Sequence, residues 1–299
     1  VTFELAGAAL SFLVFRKSFP PLKAAGVSLF HSVASFNNSG FDILGGGQNL
    51  IPYQDDILLN LVTCALVIFG GIGFLVIREV IAKRFRWKKL SMHAKVVLFM
   101  SLVLTAAGTV LLKLTEDITW MGAFFTSVFA RTAGFSTFPL GSFSGAGLLT
   151  VIVLMVIGAS PGSTGGGIKT TTCYVLFEGI RSSATNTSEK AFRYAVPTDA
   201  FRKAAVITLL AIGIVLSGTY ILVILEPGVP FLDALFEMSS AFGTAGLSTG
   251  ISAGLCDAAK ILTILIMFIG RLGPLTIASL WYFTKGERVS YPEGNIAIG

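Results

Sequence analysis

Four stretches of this chain, Ile57 to Ile77, Val96 to Leu112, Thr132 to Ile168 and Ala204 to Leu225, contain no Asp, Glu, Lys or Arg. Each is as long as the roughly 17–25 residues that cross the hydrocarbon of a bilayer, or longer. Such segments leave few choices of fold, because in lipid every backbone polar group must be satisfied internally and a helix does this within itself. Only 13% of the residues are charged, against about 25% in soluble domains, and mean hydropathy is +0.80. The sequence reads as an all-α, multi-pass membrane protein. Thr132 to Ile168 is too long for one simple span and must contain an interruption.

The net charge of +6 invites a nucleic-acid reading, but its distribution speaks of topology. Basic residues cluster at Lys83, Arg84, Arg86, Lys88, Lys89 and Lys95, at Arg181, Lys190, Arg193, Arg202 and Lys203, and at Lys285 and Arg288. Acidic residues such as Asp42, Asp55, Asp56, Glu116, Asp117, Glu226 and Asp257 mostly sit at the opposite ends of the apolar runs. By the positive-inside rule the basic clusters are cytoplasmic, in an inner or plasma membrane. Arg16, Lys17 and Lys23 are exceptions on the outer side. Cys64, Cys173 and Cys256 show neither disulfide nor metal-ligand spacing. No signal-peptide pattern precedes the first apolar run, Leu5 to Phe15, which is too short to span. The reading is that the chain starts partway into a first helix.

Three segments superimpose: Phe30 to Phe41, Phe124 to Phe135 and Phe236 to Leu247. Each ends in a small or polar residue, then Gly40, Gly134 or Gly246, then a bulky apolar residue. The spacings, 94 and 112 residues, suit three units of helix, pore-helix and helix over 1–82, 94–181 and 202–286. Basic linkers at 83–93 and 182–201 join them, and a tail follows at 287–299. Pro21 to Phe36, Thr119 to Ala130 and Pro230 to Phe242 are too short to cross and read as half-helices, with Pro21 and Pro230 where a helix N-terminus tolerates proline. Each half-helix points its partly negative C-terminus at the following turn, which favours a cation there.

A pore passing dehydrated K+ must replace its hydration shell with oxygens, and backbone carbonyls do so without a full charge that would trap the ion. Glycine allows successive carbonyls to face an axis by taking dihedrals that a side chain penalises. Candidate filter residues are Asn38, Ser39 and Gly40, Thr132, Ala133 and Gly134, and Thr244, Ala245 and Gly246. Asn38, Thr132 and Thr244 offer further oxygens, and Phe41, Phe135 and Leu247 brace the turns from behind. One such glycine could equally serve helix packing; three aligned 12-residue segments argue against coincidence. A ring of approximate radial symmetry wants four turns, so the expectation is a pseudo-fourfold pore whose first repeat lies upstream of Val1.

Inside the overlong run lie Gly158, Ala159, Ser160, Pro161, Gly162, Ser163, Thr164, Gly165, Gly166 and Gly167, then Ile168 and Lys169. A phosphate loop would place lysine one residue earlier and follow a strand, so nucleotide binding is weakly supported. Proline and five glycines cannot remain a regular helix. The segment reads as an intramembrane loop, 158–169, beneath the middle turn. A passive kink needs one such residue and this stretch has many, which favours a gate. Arg271 is the only charge between Lys260 and Lys285. At mid-bilayer it costs about 2.5–3.5 kcal/mol and calls for a partner, for which the loop's carbonyls are the candidates.

These residues resemble the superfamily of K+ transporters that includes bacterial Trk and Ktr and plant HKT proteins, with the Ktr membrane subunit the nearest branch. The resemblance rests on Asn37 to Asp42, Arg131 to Thr137, Ala159 to Lys169, Thr244 to Thr249 and Gly270 to Thr276. It implies four repeats, of which these would be the second to fourth, a filter glycine in each, a gating loop and an arginine contacting it. It also implies a homodimer on a cytoplasmic ring of KtrA-like nucleotide-binding subunits, with Na+ as an activator. Glycine at all three visible filter positions favours K+. Nothing points to an organic cofactor, a nucleic acid partner or an enzyme. The alternative is a Na+- or H+-coupled secondary transporter with broken helices, which expects inverted repeats. An intramembrane hydrolase using Ser160 or Ser163 lacks a suitably placed histidine, since His31 and His93 lie elsewhere.

Overall fold

The computed structural model describes residues 1–42, 44–45, 48–188 and 190–273. Its elements are α1 (Thr2–Phe15), α2 (Pro21–Phe36), α3 (Ile57–Ile72), α4 (Phe74–Ala82), α5 (Met92–Thr115), α6 (Trp120–Ala130), α7 (Gly145–Val156), α8 (Thr170–Thr185), β1 (Lys190–Ala191), β2 (Tyr194–Ala195), α9 (Thr198–Leu225), α10 (Phe231–Gly243) and α11 (Asp257–Leu272). The helices α5 and α9 are each long and apolar enough to cross a membrane, and α3 with α4 forms a third such run bent by 96°. Helices α2, α6 and α10 each pack between two neighbours: α2 on α1 and α3, α6 on α5 and α7, α10 on α9 and α11. Their buried faces build three apolar cores, one centred on Phe15, Phe125 and Phe135, one on Phe236 and Met155, and one on Phe242 and Met238.

Acidic residues at helix ends hold this packing in place. Asp56 caps α3, its carboxylate accepting the Leu59 N–H at 2.9 Å. Glu116, at the end of α5, accepts the Ser144 N–H and hydroxyl at 3.0 and 2.6 Å, just where α7 begins. Glu226, at the end of α9, accepts the Cys256 N–H at 2.6 Å where α11 begins. A carboxylate beside orphan helix N–H groups is favoured by their partial positive charge.

Three features depart from the sequence reading. The run Ile57 to Ile77 is not one span: Gly73 takes φ +92° and the helix turns there. The sharp turn is possible because Phe74 N–H bonds to the Gly162 carbonyl at 3.3 Å, so the glycine loop supplies the acceptor that the broken helix loses. The helix containing Arg271 ends one residue later, at Leu272, because Gly273 takes φ +90°. Arg271 is therefore in the last turn of α11 and not in the middle of a continuous helix; residues 274–281 of that run lie outside the described residues. Helices also reach into the basic linkers. Ser91 caps α5 at Met92, and the 182–201 segment holds the end of α8, a two-residue β-hairpin and the start of α9.

The joint between α4 and α5 is electrostatic. Glu79 accepts from Lys83 Nζ at 2.5 Å and from the Ser91 N–H and hydroxyl, both at 2.7 Å. Glu79→Gln is expected to cost about 1 kcal/mol, read as a lower melting temperature of the detergent-solubilised protein. A variant that melts with the parent would show that the carboxylate is not what joins the two helices.

Candidate functional site

Each short helix ends in the same way. Asn38, Thr132 and Thr244 take φ +52°, +75° and +51°, and Gly40, Gly134 and Gly246, two residues on, take +63°, +74° and +75°. The residues between, Ser39, Ala133 and Ala245, do not. In α2 and α10 this is a left-handed cap in which the N–H just after the left-handed residue reaches back across the last turn. Ser39 N–H bonds to Ala34 at 3.0 Å and Ala245 N–H to Ser240 at 2.9 Å. In α6 the corresponding bond, Ala133 N–H to Phe129, is 3.1 Å. Alternating the hand of successive residues turns consecutive carbonyls towards one side of the backbone. Thr132 is β-branched, and holding it at φ +75° costs of order 1–3 kcal/mol that the surrounding structure must sustain.

The three turns meet. A Cβ placed on Gly40 would lie 2.5 Å from the Ala133 carbonyl oxygen and from Gly134 Cα. One on Gly134 would lie 2.8 Å from the Ala245 oxygen, 3.1 Å from Gly40 Cα and 3.6 Å from Gly246 Cα. Gly134 thus stands between the other two, and 94- and 112-residue separations in sequence collapse to van der Waals contact. Behind the turns Phe135 and Leu247 are buried, with Phe135 held edge-on by His31 and Phe129 at 5.2 and 5.5 Å. Phe41 does not brace its turn: it is 64% exposed and rests against Phe30 at 6.4 Å. No described residue covers that side of the first unit.

The glycine-rich segment is an irregular crossing between α7 and α8. Gly162 and Gly167 take φ +73° and +69°. Its ends are tied by a parallel bridge of Ile157 to Ile168 and by the Ser160 and Thr170 hydroxyls, 3.0 Å apart. One flank reaches the bend after α3, where Ser160 N–H bonds to Gly71 at 3.1 Å. The middle presses on the undersides of two turns. A Cβ on Gly165 would sit 2.1 Å from Thr132 Oγ1, and one on Gly166 2.5 Å from Thr244 Oγ1. Gly166 N–H donates to Thr244 Oγ1 at 3.0 Å. The Thr132 and Thr244 hydroxyls therefore face the loop, and Thr132 Oγ1 has no partner.

Two cations hold the loop. Lys169 Nζ donates to the Gly165 carbonyl at 2.7 Å, and an Arg271 terminal nitrogen donates to the Thr164 carbonyl. Gly158 and Gly167 pack where any Cβ would strike backbone, at 1.9 Å from the Gly166 oxygen and 3.0 Å from the Val156 oxygen. Ala159 and Pro161 sit against the bend of α3. The structure thus brings the turns at Gly40, Gly134 and Gly246 into contact with one another and the loop against two of them.

Three contributors were not legible beforehand. Asn49 donates its amide to the Gly134 carbonyl at 3.0 Å from 85 residues away. Nothing in the sequence marks it. Arg131, 8% exposed, lies directly behind the middle turn and bonds to the Ser101 carbonyl and the Thr105 hydroxyl of α5 at 3.2 and 3.4 Å. Gly73 is the third. It could have been found, because Gly70-Gly-Ile-Gly73 and Gly270-Arg-Leu-Gly273 share a pattern. The matching glycines Gly70 and Gly270 each lie where a Cβ would be 1.9 Å from the carbonyl of Phe36 or Phe242.

Fold and site together define a helical protein with apolar helices of membrane-crossing length, in which three similar backbone turns meet against an irregular glycine-rich segment. The sequence profile of one family, TrkH, described as a cation transport protein, matches residues 15–116 and 90–283. The chain belongs to this family. It is 36% identical to Ktr system potassium uptake protein B of Bacillus subtilis, over 91% of this chain and 63% of that protein. It is 34% identical to the protein of the same name from Vibrio alginolyticus, over 100% of this chain and 69% of that one. With the potassium/sodium uptake protein NtpJ of Enterococcus hirae it shares 33% identity, over 100% and 70%. The crystal structure of the potassium transporter TrkH from Vibrio parahaemolyticus superimposes with a TM-score of 0.74 at 20% identity, over 94% of this chain and 62% of that one. The fold is shared with it. The chain spans about two thirds of the length of these relatives.

Proposed function

We propose that this chain lines the ion pathway of a K+ uptake system, passing dehydrated K+ through the carbonyls of the turns ending in Gly40, Gly134 and Gly246. The observation that carries this reading is the alternating left-handed backbone in all three turns, brought into contact at one axis. Negative helix ends behind each turn favour a cation there, and neutral carbonyls let it leave. The loop 158–169 closes the path beneath the turns, held by Arg271 and Lys169. A fourth turn completes a pseudo-fourfold ring on the open side between Gly40 and Gly246; Gly246 has only Gly134 within 4 Å of its Cβ position, which supports such an opening.

The partners proposed are a second copy of the chain, the lipid bilayer and a cytoplasmic nucleotide-binding ring that meets the basic linkers, with Na+ as an activator. In this arrangement the basic clusters face the cytoplasm. The names of the relatives, which speak of potassium and in one instance of sodium, support this choice of ions. The test is Rb+ uptake by the full-length protein in cells lacking their own K+ uptake. Saturable Rb+ flux competed by K+ is expected; membrane-inserted protein with flux equal to empty vector would overturn the reading.

A further inference from the structure

The residue nine positions before the turn glycine is His31 in α2, Phe125 in α6 and Glu237 in α10. All three are buried, at 2%, 1% and 4% exposure, on the face of the short helix that backs the filter. One position in a repeated frame therefore carries a base, a phenyl ring and an acid. Identical packing demands do not explain such different chemistry, so the contacts must.

His31 bonds to the Thr63 hydroxyl of α3 at 2.9 Å and lays its ring against Phe135, the residue after the middle glycine. Phe125 packs against Phe129 of its own helix with the rings tilted and their centroids 3.8 Å apart. Glu237 alone reaches the backbone leaving its own turn. Its two carboxylate oxygens accept the hydroxyls of Ser248 and Ser252, the latter at 2.7 Å. The two serines stand 3.0 Å apart, and Ser248 Oγ in turn accepts the Gly250 N–H at 2.9 Å. Ser248 is two residues past Gly246.

We infer that Glu237 is the positioning residue of the third turn, and that it sets ion selectivity by clamping the segment Ser248–Ser252 to α10. The clamp is needed at this turn in particular. Asn49 holds the Gly134 carbonyl, and Phe135 is wedged between two rings. The third turn has Leu247 behind it, an aliphatic side chain without directional contacts. From below, Gly166 N–H pulls on Thr244. With the turn bonded at its entrance by the loop and at its exit by Glu237, the carbonyls of Thr244, Ala245 and Gly246 are fixed from both ends. A carboxyl group suits this task because its two oxygens reach two hydroxyls independently.

This inference rests on the filter reading above, and the experiment separates the two. Rb+ and Na+ uptake would be measured for the full-length parent and for Glu237→Ala, Glu237→Gln and the double variant Ser248→Ala/Ser252→Ala, with membrane abundance followed in parallel. Glu237→Ala and the serine double variant are each expected to lower the Rb+ to Na+ ratio about tenfold at normal abundance. Glu237→Gln, whose amide can still accept one serine and donate to the other, is expected to retain most of the ratio. The half-saturation concentration for K+ should rise more than the maximal rate falls, as a misplaced site predicts and a general loss of folded protein does not. A parent without Rb+ uptake would remove the filter reading and this inference with it. A selective parent with an unchanged ratio in the serine double variant would overturn the clamp alone. So would Glu237→Gln behaving like Glu237→Ala, since the charge and not the hydrogen bonding would then be responsible.

Discussion

Gly134→Ser in the full-length protein is expected to lower the ratio of Rb+ to Na+ uptake by about tenfold, the effect of about 1.4 kcal/mol. Two physical costs combine at this position. Its φ of +74° lies where an L side chain is strained by of order 1–3 kcal/mol. The new Cβ would also stand 2.8 Å from the Ala245 carbonyl oxygen and 3.1 Å from Gly40 Cα, so both neighbouring turns must move. Carbonyls that shift by a few tenths of an ångström no longer match the ion they were spaced for, and the serine hydroxyl offers a ligand to a smaller, more strongly hydrated cation. Gly134 is the most sensitive of the three because it alone touches both others. Parallel Rb+ and Na+ flux assays decide the matter: an unchanged ratio in well-expressed Gly134→Ser protein would mean that the turns do not form the filter.

The second large effect is expected from Arg271→Ala, which should raise basal Rb+ flux about tenfold in the absence of any activating partner. Arg271 donates to the Thr164 carbonyl from the last turn of α11, and hydrogen bonds of charged groups contribute about 1.5–3 kcal/mol. The loop's other ties to its neighbours are neutral: Phe74 to Gly162, Gly166 to Thr244 and Ser160 to Gly71; Lys169 to Gly165 is a charged bond within it. If the loop gates as proposed, removing the charged bond that reaches it from α11 shifts it towards an open arrangement by the corresponding factor. The arginine also sits beneath the filter as a positive charge, and its loss lowers the barrier to cations. Arg271→Lys should fall between, since an ammonium keeps the charge but not the planar fork. Basal flux unchanged in Arg271→Ala would place the arginine outside the gate.

Much of this protein is legible in one dimension. The uncharged runs, the apolar half-helices and the three glycines announce themselves through composition and spacing, since lipid imposes the same demand on every span. The glycine-rich stretch after Gly158 is legible for the same reason, because no helix survives it. Gly73 does not announce its bend, because a single glycine in an apolar run is tolerated in helices and only the carbonyl of Gly162, brought in by the glycine-rich loop, supplies the acceptor that makes the bend favourable. Arg271 reads as mid-helix because the run around it is continuous in hydropathy, whereas the helix stops at Gly273. That the Thr132 and Thr244 hydroxyls face the loop is not legible, because sequence carries no information on which way a side chain points once its residue turns left-handed.

By itself the sequence determined that the chain spans a membrane as repeated helical units, each with a glycine turn, and that one unit is interrupted. Those properties are local: they follow from hydropathy over about 20 residues and from the dihedral freedom of glycine. Only the tertiary structure decided that the three turns touch, that Gly165 and Gly166 press on Thr132 and Thr244, that Thr164 is the loop carbonyl Arg271 meets, that Asn49 holds the Gly134 carbonyl, and that Glu237 holds the serines beyond its own helix. Contacts across 85 or 107 residues depend on how the units pack around the axis, and packing is a property of all three units at once.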